Sequence, residues 1–98
     1  MTNQILLEAI ACKKCVVATY NRTRMTLAPH ILYTKNDALY VDAVTLARDG
    51  RKPKEMKLGS FNLAGLKDIS LEQAHFRHDR LFDPSLLRYA GATLFAVA

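Results

Sequence analysis

Ninety-eight residues, half of them apolar and 23% charged, describe one globular domain over 1–98 and exclude a disordered chain. A formal charge of +5 and a pI near 9.5 favour acidic partners: nucleic acid, nucleotides or an acidic protein face. No run approaches the ~20 apolar residues of a membrane-spanning helix, and Met1-Thr2-Asn3-Gln4 lacks the basic start of a leader. A cytoplasmic protein without membrane contact is therefore expected.

Thr2 or Asn3 caps a helix running to about Lys13, with Leu6, Ala9, Ile10 and Lys13 on one stripe, Ile5 beside it, and Gln4 and Glu8 in solvent. Cys15-Val16-Val17-Ala18-Thr19-Tyr20 has the β-branched and aromatic composition of a strand. Asn21-Arg22-Thr23 turns the chain into Arg24–Ala28, which alternates polar and apolar residues. Pro29 marks a strand edge or bend, because it has no N–H for a ladder. His30–Thr34 continues extended, and Lys35-Asn36-Asp37 forms the next turn.

A hairpin follows. Its first strand is Ala38–Ala47, its turn is the basic Arg48-Asp49-Gly50-Arg51-Lys52-Pro53-Lys54, and its return is Glu55–Phe61. From Arg48 to Lys57, five cations against Asp49 and Glu55 leave +3 of the chain's +5. Leu63–Asp68 reads as a short helical turn or loop, and Ile69–Glu72 as a last strand. Asp83-Pro84-Ser85 starts a short C-terminal helix through Leu86–Ala90, stopped by Gly91. The apolar residues 92–98 are expected to dock on the core or on a partner. The fold class is mainly β with helical ends, and short consecutive hairpins close most simply into a small antiparallel barrel without exposed edges.

These features resemble a WYL domain, the small ligand-sensing module of bacterial transcription regulators. Leu39-Tyr40-Val41 stands where the family has its name triplet, a strand ends in Tyr20, and Arg24 precedes Pro29. Arg48-Asp49 resembles the family's Arg-rich turn, and Lys54-Glu55-Met56-Lys57-Leu58-Gly59-Ser60-Phe61 its Arg-x-Phe-Arg-Leu-Asp-Arg-Ile strand. The likeness runs loosely from Leu6 to Phe82. Leu39 replaces the Trp, two extra residues fall near Lys52-Pro53, and Gly59-Ser60 stands for the late Asp-Arg pair. Lys54 and Lys57 keep charge but lack the bidentate fork of Arg. The resemblance implies an Sm-like, SH3-type β-barrel behind an N-terminal helix, binding a nucleotide or single-stranded nucleic acid in a regulatory role.

The candidate site joins Arg24, Arg48, Lys54 and Lys57 for phosphate with Tyr20, His30 and Tyr40 as flat rings, the combination that binds single strands with little sequence preference. Arg51 belongs to the same cluster. The same cations also serve simply to solvate a hairpin tip, and Tyr20 and Tyr40 also suit a barrel core. Cys12-Lys13-Lys14-Cys15 and His75-Phe76-Arg77-His78 supply four zinc-type ligands, but sixty residues separate the halves and the His spacing is short for a finger. No metal and no cofactor are expected. Ser60, Ser70 and Ser85 lack a nucleophile-elbow setting, and no Gly-rich loop follows a strand, so no catalytic residue is assigned and a non-enzymatic module is expected. There is no room for a helix-turn-helix, so the chain is expected either to work with a regulatory protein partner or to act as a stand-alone accessory module. The alternative is a protein–protein module that self-associates through Leu94–Val97 as a homodimer.

Overall fold

A computed structural model describes residues 2–98. Helix α1, Thr2–Cys12, buries Leu6, Ala9 and Ile10 at i, i+3, i+4, whereas Lys13, expected on the same stripe, lies beyond its end. Lys13, at φ 55°, ends it in the left-handed conformation that commonly closes helices. Strands β1 (Lys14–Tyr20), β2 (Thr23–Lys35) and β3 (Ala38–Arg48) follow as successive hairpins. Each hairpin turn places two adjacent residues at positive φ: Asn21-Arg22, Asn36-Asp37 and Asp49-Gly50. That is the type I′ geometry, whose twist matches the flanking strands and which Asn, Asp and Gly adopt most readily. In the third turn Arg48 and Arg51 exchange both backbone bonds, at 2.8 Å each.

Strand β4 (Leu58–Asn62), a 3₁₀ turn at Leu63–Gly65, β5 (Lys67–His75), a second 3₁₀ turn at Leu87–Tyr89 and β6 (Thr93–Ala96) complete the chain. The antiparallel sheet has the order β4-β3-β2-β1-β5, with β6 added beside β2. Strand β2 pairs with β3 along nearly all its length. Its other side is shared, with Thr23–Leu27 against β1 and Ile31–Tyr33 against β6. Pro29, opposite Ala43 of β3, falls between these two stretches, and the β2–β3 ladder shifts register at Thr26/Leu27 and Pro29/Ile31.

The core joins Leu6 and Ile10 of α1 to Val16, Leu27, Ile31, Val41, Phe61 and Leu66. The segment after β5 adds Phe82 and Tyr89, which are 3% and 1% exposed. Several expectations are corrected. No ladder joins β4 to β5, so the sheet is not closed into a hydrogen-bonded barrel. Residues 86–90 make one 3₁₀ turn instead of a helix, since Leu86 and Ala90 flank it in extended conformation. Strand β5 reaches from Lys67 to His75, and the last strand is β6, from within the apolar end. Glu55, Met56 and Lys57 precede β4 as irregular chain. Among the described residues no helix is long and apolar enough to cross a membrane.

Candidate functional site

Residues paired across antiparallel strands project from the same face of the sheet. Thr19 of β1 is paired with Arg24 of β2 on one side and with Lys67 of β5 on the other. The register therefore sets two cations in one lateral row, separated only by a small hydroxyl residue. Neighbouring strands lie ~4.8 Å apart, so the two Cα positions are separated by roughly two such steps. The Arg24 guanidinium reaches Thr19 Oγ1 at 3.2 Å and the carbonyl of Asp68 at 2.7 Å. Both acceptors are neutral. Among the described residues neither Arg24, Arg22 nor Lys67 lies within ion-pair distance of a carboxylate.

Beside this row is an open hollow of about 330 Å³, lined by Thr19, Asn21, Arg22, Ala64, Gly65 and Lys67. Arg22 comes from the β1–β2 turn, and Gly65 from the 3₁₀ turn that Asn62 caps by accepting the N–H of Ala64 at 2.9 Å. Gly65 is required there: a Cβ would lie 2.9 Å from Cε1 of Tyr20, whose ring meets Phe61 edge-on at 5.0 Å between centroids. Asp49 belongs to the same end of the sheet and accepts the backbone N–H of Arg24 through Oδ1 at 3.3 Å. Even with Asp49 and Asp68 included, this end stays net positive, and Arg48 and Arg51 add to it.

The seven residues anticipated from sequence do not form one site. Arg24 and Tyr20 lie at the end just described. Arg48, the last residue of β3 and opposite Met25 of β2, is exposed at that same end, whereas Lys54 and Lys57 are exposed on the β3–β4 connection; none of the three lines the hollow, and Lys57 pairs with Glu55 at 3.5 Å in open solvent. Tyr40 is eight residues along β3 from Arg48, roughly 26 Å at ~3.3 Å per strand residue. It packs against Tyr33, with Lys35 Nζ over its ring at 5.7 Å. His30 is fully buried, so it offers no surface for stacking. Its Nδ1 faces the Ala28 carbonyl at 2.8 Å and its Nε2 accepts the backbone N–H of Asp79 at 2.9 Å. Those partners fix a neutral imidazole with the proton on Nδ1, and burial holds its pKa below the usual value. His30 thus clips the segment after β5 onto β2.

A second cluster went unread in the sequence. Asp42 of β3 is fully buried, yet its Oδ1 accepts the hydroxyl of Tyr33 at 2.7 Å and its Oδ2 that of Tyr89 at 2.5 Å. The half-exposed guanidinium of Arg88 stands 3.4 Å from Oδ2, and Ser60 Oγ lies 3.3 Å from the Tyr33 hydroxyl. Burial, reinforced by the carboxylate, pushes Tyr33 up to about 12 and Tyr89 higher still. The available signal was an acid inside the apolar run Val41–Val44, which demands partners wherever it is buried. Arg22 and Lys67 were missed for another reason: they are remote in sequence and share a hollow only because β5 pairs with β1 beside the β1–β2 turn.

Of the zinc-type residues, Cys12 is exposed at the end of α1 and Cys15 is buried, where desolvation pushes its thiol up. Among the described residues no three His, Cys, Asp or Glu side chains are placed to share a metal ion. No protein-family model, curated protein or solved structure matches the chain.

Proposed function

We propose that the chain is a non-enzymatic, WYL-type regulatory module that binds a phosphate-bearing ligand, either a nucleotide or single-stranded nucleic acid. The observation that carries this reading is the lateral row of Arg24 and Lys67, flanked by Arg22, beside a hollow open to solvent. Cations without carboxylate partners are the usual means of holding phosphate, and Thr19 and Asn21 add polar groups at the same wall. Arg48 at the end of β3, and Lys54 and Lys57 on the β3–β4 connection, contribute longer-range attraction. An N-terminal helix ahead of a sheet ordered β4-β3-β2-β1-β5 supports the Sm-like architecture that the resemblance implies.

The alternative, self-association through the C-terminal strand, is favoured by Leu94 and Phe95, which are 55% and 37% exposed. Fluorescence anisotropy with labelled oligo-dT and with a nucleotide tests the first reading. The combined Arg24→Glu and Lys67→Glu substitutions should weaken binding by about tenfold or more and flatten its salt dependence. Lys54→Glu with Lys57→Glu should weaken it less. A dimer by light scattering that binds neither probe would replace the first reading with the second.

A further inference from the structure

A second hollow, of about 460 Å³, shares no lining residue with the groove beside Arg24. We infer that it is a separate binding site for a small organic anion, a phosphate or carboxylate carried on a flat apolar body. Ala28 of β2 and Leu46 of β3 form its apolar floor, and Phe76 adds an aromatic wall. Arg77, His78 and Arg80, from four consecutive residues after β5, form its polar rim. Its volume falls within the ~300–1,000 Å³ typical of small-molecule sites.

The rim is net positive, because Arg77 and Arg80 outnumber the single carboxylate of Asp79. Among the described residues neither Arg77 nor Arg80 lies within ion-pair distance of a carboxylate. The one acid in the lining, Asp79, uses Oδ1 to accept the N–H of Leu81 at 2.9 Å. The wall is also held in place before any ligand arrives. Phe76 N–H is bonded to the Lys13 carbonyl at 2.8 Å, and Asp79 N–H to His30 Nε2 at 2.9 Å. The Phe76 ring lies 4.9 Å from that of His30. A preformed wall lowers the ordering cost of binding. His30, with both ring nitrogens engaged, acts as a positioning residue and does not contact the ligand. The apolar floor and the two arginines at the rim together select a molecule with a flat body and one acidic group, since neither surface alone offers much affinity.

The proposal stands apart from the nucleic-acid reading, and its test separates the two. Backbone amide NMR spectra of the full chain are titrated with AMP, with benzoate and with inorganic phosphate. AMP or benzoate should shift the amides of residues 76–80 and of Ala28 and Leu46 saturably, and inorganic phosphate should do so far more weakly. Arg77→Gln with Arg80→Gln should leave the spectrum otherwise folded, because both side chains are exposed, and should weaken binding by about tenfold or more. Arg24→Gln with Lys67→Gln should leave these shifts unchanged. No shifts at residues 76–80 with either compound at millimolar concentration would overturn the proposal. So would binding that survives the Arg77/Arg80 substitutions, inorganic phosphate binding as well as AMP, or AMP shifts confined to Thr19, Arg24 and Lys67.

Discussion

Replacing Tyr89 by Phe deletes one hydroxyl and keeps the ring, which is 1% exposed and packed edge-on against Tyr33 at 5.1 Å. The Asp42 carboxylate stays fully buried, left with Tyr33 at 2.7 Å and the Arg88 guanidinium at 3.4 Å. A hydrogen bond to a charged group contributes about 1.5–3 kcal/mol. Arg88 offsets little of the loss, because its side chain is 49% exposed and water screens it. For a domain of this size ~1 kcal/mol lowers Tm by about 4–8 °C, so Tyr89→Phe should lower it by about 10 °C. Adding Tyr33→Phe removes the last hydroxyl donor to a buried charge, and the pair of substitutions should cost about 3–5 kcal/mol. Thermal melts followed by circular dichroism at pH 7 measure both. A Tyr89→Phe variant melting within about 2 °C of wild type would refute the reasoning, because a solvated Asp42 would then be required.

The same cluster makes an optical prediction: of the four tyrosines, Tyr33 and Tyr89 should resist ionisation at about pH 11, so absorbance at 295 nm should rise by only part of its full amplitude until the protein unfolds. His30 gives a pH dependence of known sign. Its folded pKa lies below the unfolded value of 6.5, through burial and secondarily through His78, against opposing contributions from Ala28, Asp79 and Arg77. The unfolded chain therefore takes up the proton first, and stability present above pH 6.5 is lost as pH falls through the folded value. Urea melts at descending pH should show that slope in wild type and a flatter one in His30→Phe; equal slopes would exclude His30 as the cause. Gly65→Ala should destabilise by about 1–3 kcal/mol, because Tyr20, held against Phe61, must move away from the new Cβ; an unchanged urea midpoint would count against that contact. A chain ending at residue 92 should aggregate on gel filtration, since it uncovers the Ile31–Tyr33 edge of β2; a stable monomer would show that β6 is dispensable.

What was legible in the chain was local. Asn21-Arg22, Asn36-Asp37 and Asp49-Gly50 announce their turns through residue types that tolerate positive φ, and the stripe of Leu6, Ala9 and Ile10 announces the helix. The C-terminal helix failed because Pro84 and the apolar spacing mimic a helix start, whereas Tyr89 is drawn down to Asp42 and the segment follows that anchor. A closed barrel was inferred from the run of short hairpins and from the family resemblance, neither of which specifies whether the outermost strands of this chain meet. The candidate site joined Arg24 and three aromatic rings to the charge-dense stretch from Arg48 to Lys57. Register instead places Arg24 beside Thr19 and Thr19 beside Lys67, a neighbourhood no linear window contains. His30 looked like a platform because a histidine within an alternating strand gives no sign of which side will be covered later.

Strand β2 takes its neighbours from both extremes of the chain, β1 immediately before it and β6 some sixty residues after. During synthesis the front half of β2 can therefore zip at once, while its back half waits as an open template until residues 93–96 emerge. Any foreign extended peptide that meets the nascent chain in that interval competes for the same vacancy. Pro29 and the register shift beside it limit that hazard, because the missing N–H and the irregular ladder interrupt the continuous edge on which an intruding strand would extend.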